Sequence, residues 1–215
     1  VQFVDADDVI HTDMTRKLVE VMETYQKDLV VCGFQMIMLD AELRKAGQIL
    51  FSSKDLGKEC VLPRDVFFQN MSYILWKICL LEEVWNKIYR REIIEKHQIL
   101  FPQAISLGED FCFNMDYFQY MNGVVFIEEQ FYYYLNTGKD TLTSCYRENY
   151  FDNQLFLIQR FENILKAHIK ISKEERRYLA EYMIAKAIRS IENVFQKECR
   201  LPLIEKKRKI EEIIN

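Results

Sequence analysis

The chain has 215 residues, 49% of them apolar and 13% aromatic, enough for one large domain with or without an appendage. Its net charge of -4 excludes a general nucleic-acid footprint, because gripping phosphates takes a basic excess. Six cysteines stand singly among apolar residues with no CxxC pair, which argues against zinc or a disulfide framework and for reduced thiols in a cytoplasmic protein.

With only 6 Gly and 3 Pro, few turns and long helices are expected. Residues 1–4 read as a short strand running into the acidic segment Asp5-Ala6-Asp7-Asp8. The chain starts with Val1 rather than Met and opens directly into that strand, as if cut from a longer protein. Thr12 suits an N-cap, and Met14, Leu18, Val21, Met22 and Tyr25 form one helical stripe. Residues 28–38 read as a buried strand. Residues 39–62 are polar and irregular, with Gly47 and Gly57 as breakers, and suit a loop or small hairpin. Pro63 opens a helix over 63–80. A short strand is expected over 85–89, a helix over 91–97, and a second helix over 109–121 after Gly108. Residues 124–127 and 131–135 are β-rich. From Arg147 the pattern is helical in three pieces, broken near Ile171-Ser172 and at Pro202, and the middle piece carries Ile184, Ile188, Ile191 and Phe195 at helical spacing. The layout is an α/β layer over 1–146 and a helical region over 147–215.

Three features carry chemistry. Asp5, Asp7 and Asp8 fall within four positions at a strand end. At ~5 Å and an effective dielectric near 20, each like-charged pair costs roughly 3 kcal/mol. A hard divalent cation, Mg²⁺ or Mn²⁺, removes that cost and accepts substrate phosphates as further ligands. Taken alone, an exposed acidic turn explains the run equally well. Gly108-Glu109-Asp110 puts two acids in a first helical turn, either as ordinary helix-start acids or with one as a general base. Trp85-Asn86-Lys87-Ile88-Tyr89-Arg90-Arg91 alone reads as a core Trp with a solvated basic flank.

In this order and spacing, Phe3-Val4-Asp5-Ala6-Asp7-Asp8, the strand over 28–34, Trp85-Asn86-Lys87-Ile88-Tyr89-Arg90-Arg91-Glu92-Ile93-Ile94 and Gly108-Glu109-Asp110-Phe111-Cys112-Phe113-Asn114 closely resemble glycosyltransferase family 2. Residues 131–134, followed by Thr141-Leu142-Thr143-Ser144, resemble the strand and loop that come next in that family. The resemblance covers about residues 1–146. It implies the C-terminal part of a GT-A fold with a helical tail, the nucleotide-binding half lying upstream of Val1. It implies inverting transfer of a sugar from a nucleotide-sugar donor to a hydroxyl, in bacterial surface polysaccharide or glycan synthesis. By that resemblance Asp7 binds the metal, Asp5 lies near the donor ribose or metal, and Asp110 is the base with Glu109 beside it. Trp85 and Lys87 line the substrate cleft. The chain departs from many relatives at Leu135-Asn136, where they place an Arg.

The acceptor implied is a glycan or a lipid-linked saccharide. The basic run over 206–209, on a segment with Ile204, Ile213 and Ile214, suits a solvated helix face or peripheral contact with the inner face of a membrane. The competing reading is a non-catalytic glycosyltransferase-like module with a partner-docking tail. Keeping both Asp7 and Asp110 favours the enzyme.

Overall fold

The computed structural model describes residues 1–105, 107–138 and 146–214. The Thr141-Leu142-Thr143-Ser144 motif and Cys145 lie outside the described residues. In chain order the elements are β1 (Val9–Ile10), α1 (Met14–Tyr25), β2 (Leu29–Leu39), β3 (Lys45–Phe51), β4 (Glu59–Pro63), α2 (Arg64–Gln69), α3 (Met71–Tyr73), β5 (Lys87–Tyr89), α4 (Arg91–His97), α5 (Glu109–Phe118), β6 (Gly123–Asn136), α6 (Tyr150–His168), α7 (Lys173–Val194) and α8 (Leu203–Ile214).

The spine of the sheet is the parallel pair β2 and β6. Their buried runs over 29–34 and 123–127 are apolar almost without interruption, as expected for strands covered on both faces. The neighbours change halfway along. Near its start β2 pairs antiparallel with β5 and β6 with β4, whereas farther on β2 pairs with β3 and β6 with β1. The register of the spine shifts on either side of Gly33, where an added Cβ would lie 2.5 Å from the Phe51 carbonyl oxygen. That crowding fixes a glycine at the bend.

Several expectations needed correction. Residues 1–4 form no strand beyond a bridge from Gln2 to Ile88, although the Val1 and Tyr89 backbones exchange hydrogen bonds beside it. Phe3 instead packs edge-on against Tyr89, Phe101 and Phe113. Segment 39–62 yields two strands, because the edges of β2 and β6 give its backbone ladder partners. The single helix over 63–80 breaks into α2, α3 and one turn of π-helix over Ile74–Ile78, which ends with Cys79 at φ 56°. The two β segments after Asn122 join into the one strand β6.

One core cluster joins the α/β layer to the helical region. It runs from Met14 and Leu18 through Val124 and Phe126 to Phe161, Leu165, Leu179 and Tyr182. Tail and layer also meet through polar groups. Glu175 accepts from the Ser72 amide at 2.9 Å, and Tyr182 donates to Glu82 at 3.0 Å. The apolar stripe of α7 is largely outside this core, with Ile184, Ile188 and Phe195 exposed, because Leu179, Tyr182 and Val194 turn inward instead.

Candidate functional site

Asp8 anchors the acidic segment to the sheet. Its carboxylate accepts from the Tyr132 hydroxyl at 2.7 Å and the Leu135 amide at 2.9 Å, while the Tyr132 oxygen accepts from the Asp5 amide at 3.2 Å. With Asp8 so occupied, the segment presents the exposed Asp5 and Asp7, and Asp7 makes no hydrogen bond among the described residues. Burial raises the Asp5 carboxyl above its ordinary range, and repulsion from Asp7 and Glu109 adds to it.

Asp110 stands on α5, within electrostatic range of Asp5. Gly108 caps that helix at φ 91°, where L side chains are strained, and an added Cβ would meet a Leu157 methyl at 2.4 Å. The glycine of the motif therefore both permits the helix start and lets the tail pack against it. Asp110 Oδ2 accepts from the Val84 amide at 3.2 Å. Burial pushes the carboxyl up to about 6 against the pull of that amide; Glu109 and Asp5 raise it further and Lys87 opposes them. A base with that affinity is mostly ionised at neutral pH and still able to take a proton. Beside it, Glu109 keeps Oε2 buried without a hydrogen-bond partner among the described residues.

The Trp85 segment is welded to α5 from within. Asn114 donates to the carbonyls of Leu81, Glu82 and Glu83 at 3.0, 3.0 and 2.8 Å and accepts from the Tyr89 hydroxyl at 2.7 Å. Tyr117 donates to the Asp28 carbonyl at 2.6 Å and accepts from the Arg90 amide at 2.9 Å. Trp85 is only 6% exposed and stacks on Tyr132 at 4.1 Å, so it builds the wall behind the acidic segment. Lys87 is fully buried, with its ammonium turned to the Glu83 carbonyl and to Asn86 Oδ1. Both residues are expected to line the substrate cleft, and both side chains are buried.

Asp5 therefore stands within electrostatic range of Asp7, Glu109 and Asp110, and Glu109 of Asp110; Asp5 and Asp7 are exposed and the other two partly buried. Pockets lined by α5 and α6, and by α2, α3 and α7, lie elsewhere. Sequence reasoning passes over Glu83, whose Oε2 is buried and unpartnered among the described residues, and which feels both Lys87 and Asp110. Its position two residues before the Trp motif was the available signal. Among the described residues no three His, Cys, Asp or Glu side chains could by themselves hold a metal. Asp5 and Asp7 nevertheless offer hard oxygen donors, and Mg²⁺ or Mn²⁺ is commonly held by one or two carboxylates completed by substrate phosphates and water. The donor set fits such a cation in company with a diphosphate.

No protein-family model matches the chain. Two curated relatives come from Bacillus subtilis (strain 168). The uncharacterized glycosyltransferase EpsJ is 30% identical over 132 residues, covering 61% of this chain and 36% of that protein. The putative glycosyltransferase EpsH is 23% identical over 186 residues, covering 86% of this chain and 50% of that protein. The chain thus spans between about a third and a half of the length of these relatives. Among solved structures, S. aureus TarS residues 1–349 in complex with UDP-GlcNAc matches with a TM-score of 0.63 at 19% identity, over 99% of this chain and 55% of that one. The same protein in complex with UDP matches with a TM-score of 0.56 at 18% identity, over 97% and 52%. The fold is mixed α/β and GT-A-like with C-terminal helices, as the sequence resemblance implied.

Proposed function

We propose that the chain is the acceptor-side part of an inverting glycosyltransferase of family 2, which moves a sugar from a nucleotide-sugar donor to a hydroxyl of a glycan or lipid-linked saccharide in surface polysaccharide synthesis. The observation that carries this reading is the exposed pair Asp5 and Asp7 with the half-buried Asp110, held by the Val84 amide, pushed up to about 6 and within electrostatic range of Asp5. Relatives named as glycosyltransferases and a fold shared with a protein solved with UDP-GlcNAc support it.

In this mechanism Asp110 takes the proton of the acceptor hydroxyl. The hydroxyl oxygen bonds to the anomeric carbon as the bond to the diphosphate breaks, and the leaving group departs with the electron pair. Attack opposite the leaving group inverts the anomeric centre. Asp7, assisted by Asp5, would hold Mg²⁺ or Mn²⁺, whose charge offsets that developing on the diphosphate. Asp8, Tyr132 and Trp85 fix the segment that carries those two acids.

Asp7→Asn is expected to weaken metal-dependent donor binding by the full-length protein at least tenfold. Calorimetry with UDP-sugars and Mn²⁺ checks this, and unchanged binding would remove Asp7 from the site. Peripheral membrane contact belongs to the same proposal, since α8 exposes Leu203, Ile204 and Ile214 beside Lys206, Lys207, Arg208 and Lys209. No helix of the described residues is long and apolar enough to cross a membrane. Co-sedimentation with anionic vesicles that weakens when those four cations become Gln is the expected result; equal sedimentation would refute it.

A further inference from the structure

We infer that Lys87 is a positioning residue that acts through Asp110: it supplies the counter-charge behind the acidic face and latches the loop whose Val84 amide holds the Asp110 carboxylate. This rests on the proposed function, and it replaces the substrate contact that the resemblance implies for Lys87.

The geometry is unusual for a lysine. The side chain is fully buried on β5, in a strand whose three residues are all buried. Its ammonium bonds two neutral acceptors, the Glu83 carbonyl and Asn86 Oδ1, and makes no ion pair among the described residues. A buried cation without a bonded counter-ion is costly, so a fold that needed only a latch would do better with a neutral donor. What lies around Lys87 explains the charge. Burial lowers the Lys87 ammonium to about 8, and Glu83, Asp110, Cys32 and Glu82 are the groups that favour its protonated form against that. No other lysine or arginine among the described residues is fully buried, while Asp110, on which it acts, also feels Glu109 and Asp5.

The loop is the second half of the argument. Lys87 ties the Glu83 carbonyl from below while Asn114 ties the Leu81, Glu82 and Glu83 carbonyls from α5. The next amide in the chain, that of Val84, donates to Asp110. One cation therefore sets both the position of the donor to Asp110 and the local potential. The charged and titratable groups facing Asp110 are Glu109 on its own helix, Lys87 on β5, Glu83 and Tyr89 from the segment around β5, and Asp5 from the acidic segment. Lys87 is the one cation in that set. It lowers the Asp110 proton affinity where burial, Glu109 and Asp5 raise it.

The test uses two variants of the full-length protein. Lys87→Met keeps the length of the stem and removes the charge and the latch. Lys87→Gln removes the charge and keeps a donor toward the Glu83 carbonyl. Two readouts are followed with pH: the rate of transfer, and the carboxyl ¹³C shift of Asp110, assigned by its loss in Asp110→Asn. The expected result is that both variants move the acid limb and the Asp110 titration upward by about one pH unit. An Asp110 titration unmoved in the variant or variants that fold overturns the inference, whatever happens to the rate. Absence of transfer by the parent protein at every pH would overturn the proposed function instead, and the carboxyl titration would still decide whether Lys87 acts on Asp110.

Discussion

Asp110→Asn is expected to lower the turnover rate by 10²- to 10⁴-fold while donor and metal binding stay near normal. The substitution keeps the shape of the side chain and its ability to accept from the Val84 amide at 3.2 Å. It removes only the capacity to take a proton from the attacking hydroxyl. In the parent protein the rate should fall about tenfold per pH unit below about 6, the value to which burial pushes this carboxyl. The same shift has a consequence for stability. The folded state holds the Asp110 proton more tightly than the unfolded chain, so this group's contribution is greatest below the ordinary carboxylate range. It is lost as pH rises from about 4 to about 6. At pH 7 the Asn variant should therefore be more stable than the parent by roughly 1–3 kcal/mol, a gain that follows from removing a partly buried ionised carboxylate. A variant that keeps more than a tenth of the activity, against the expected 10²-fold loss or more, would move the base to Glu109 or refute the assignment. Rates and denaturation midpoints at matched pH check both halves.

The largest expected loss of stability comes from Phe161→Ala. Phe161 is fully buried on α6, faces Phe111 on the motif helix with ring centroids 6.1 Å apart, and stands 6.5 Å from Tyr182 on α7. It thus lies where the helical region, the Asp110 helix and the shared core meet. Truncating a buried Phe to Ala costs about 3–5 kcal/mol, from lost transfer energy and the cavity left behind. Because Leu157 packs against Gly108 one turn before Phe161, the loss should also disturb the start of α5 and lower activity. Urea denaturation of the intact protein gives the number. A loss under about 1 kcal/mol, far below the usual range, would mean that residues 147–215 form a separate unit resting on the layer.

Much of this architecture was legible in the sequence where local signals were strong. The stripe Met14, Leu18, Val21 and Met22 is the buried face of α1, and Arg91–His97 is the helix its pattern implied. The breaks of the tail at Ile171-Ser172 and Pro202 fall between α6, α7 and α8, and Ser172 accepts from the Glu175 amide as an N-cap. Elements whose existence depends on distant partners were not legible. β3 shows mostly exposed residues and no buried alternation, and it is a strand because β2 leaves an edge for it. β4 exists by pairing with the first half of β6, over sixty residues later in the chain. For the site, the motifs named the acids and gave Asp8 no role. Only the Tyr132 hydroxyl and Leu135 amide show Asp8 as the anchor of the acidic segment. Lys87 looked like part of a solvated basic flank or a cleft residue, and only the three-dimensional neighbours Glu83 and Asp110 give its charge a purpose.

The central claim is that this acidic face transfers a sugar from a nucleotide donor, and release of nucleoside diphosphate tests it most directly. The full-length protein would be given a panel of nucleotide sugars with Mn²⁺ and a saccharide acceptor, beside Asp7→Asn and Asp110→Asn. The account predicts release by the parent protein from at least one donor, with a product of inverted anomeric configuration, and strongly reduced release by both variants. No release from any donor, or equal release by the parent and both variants, would contradict it.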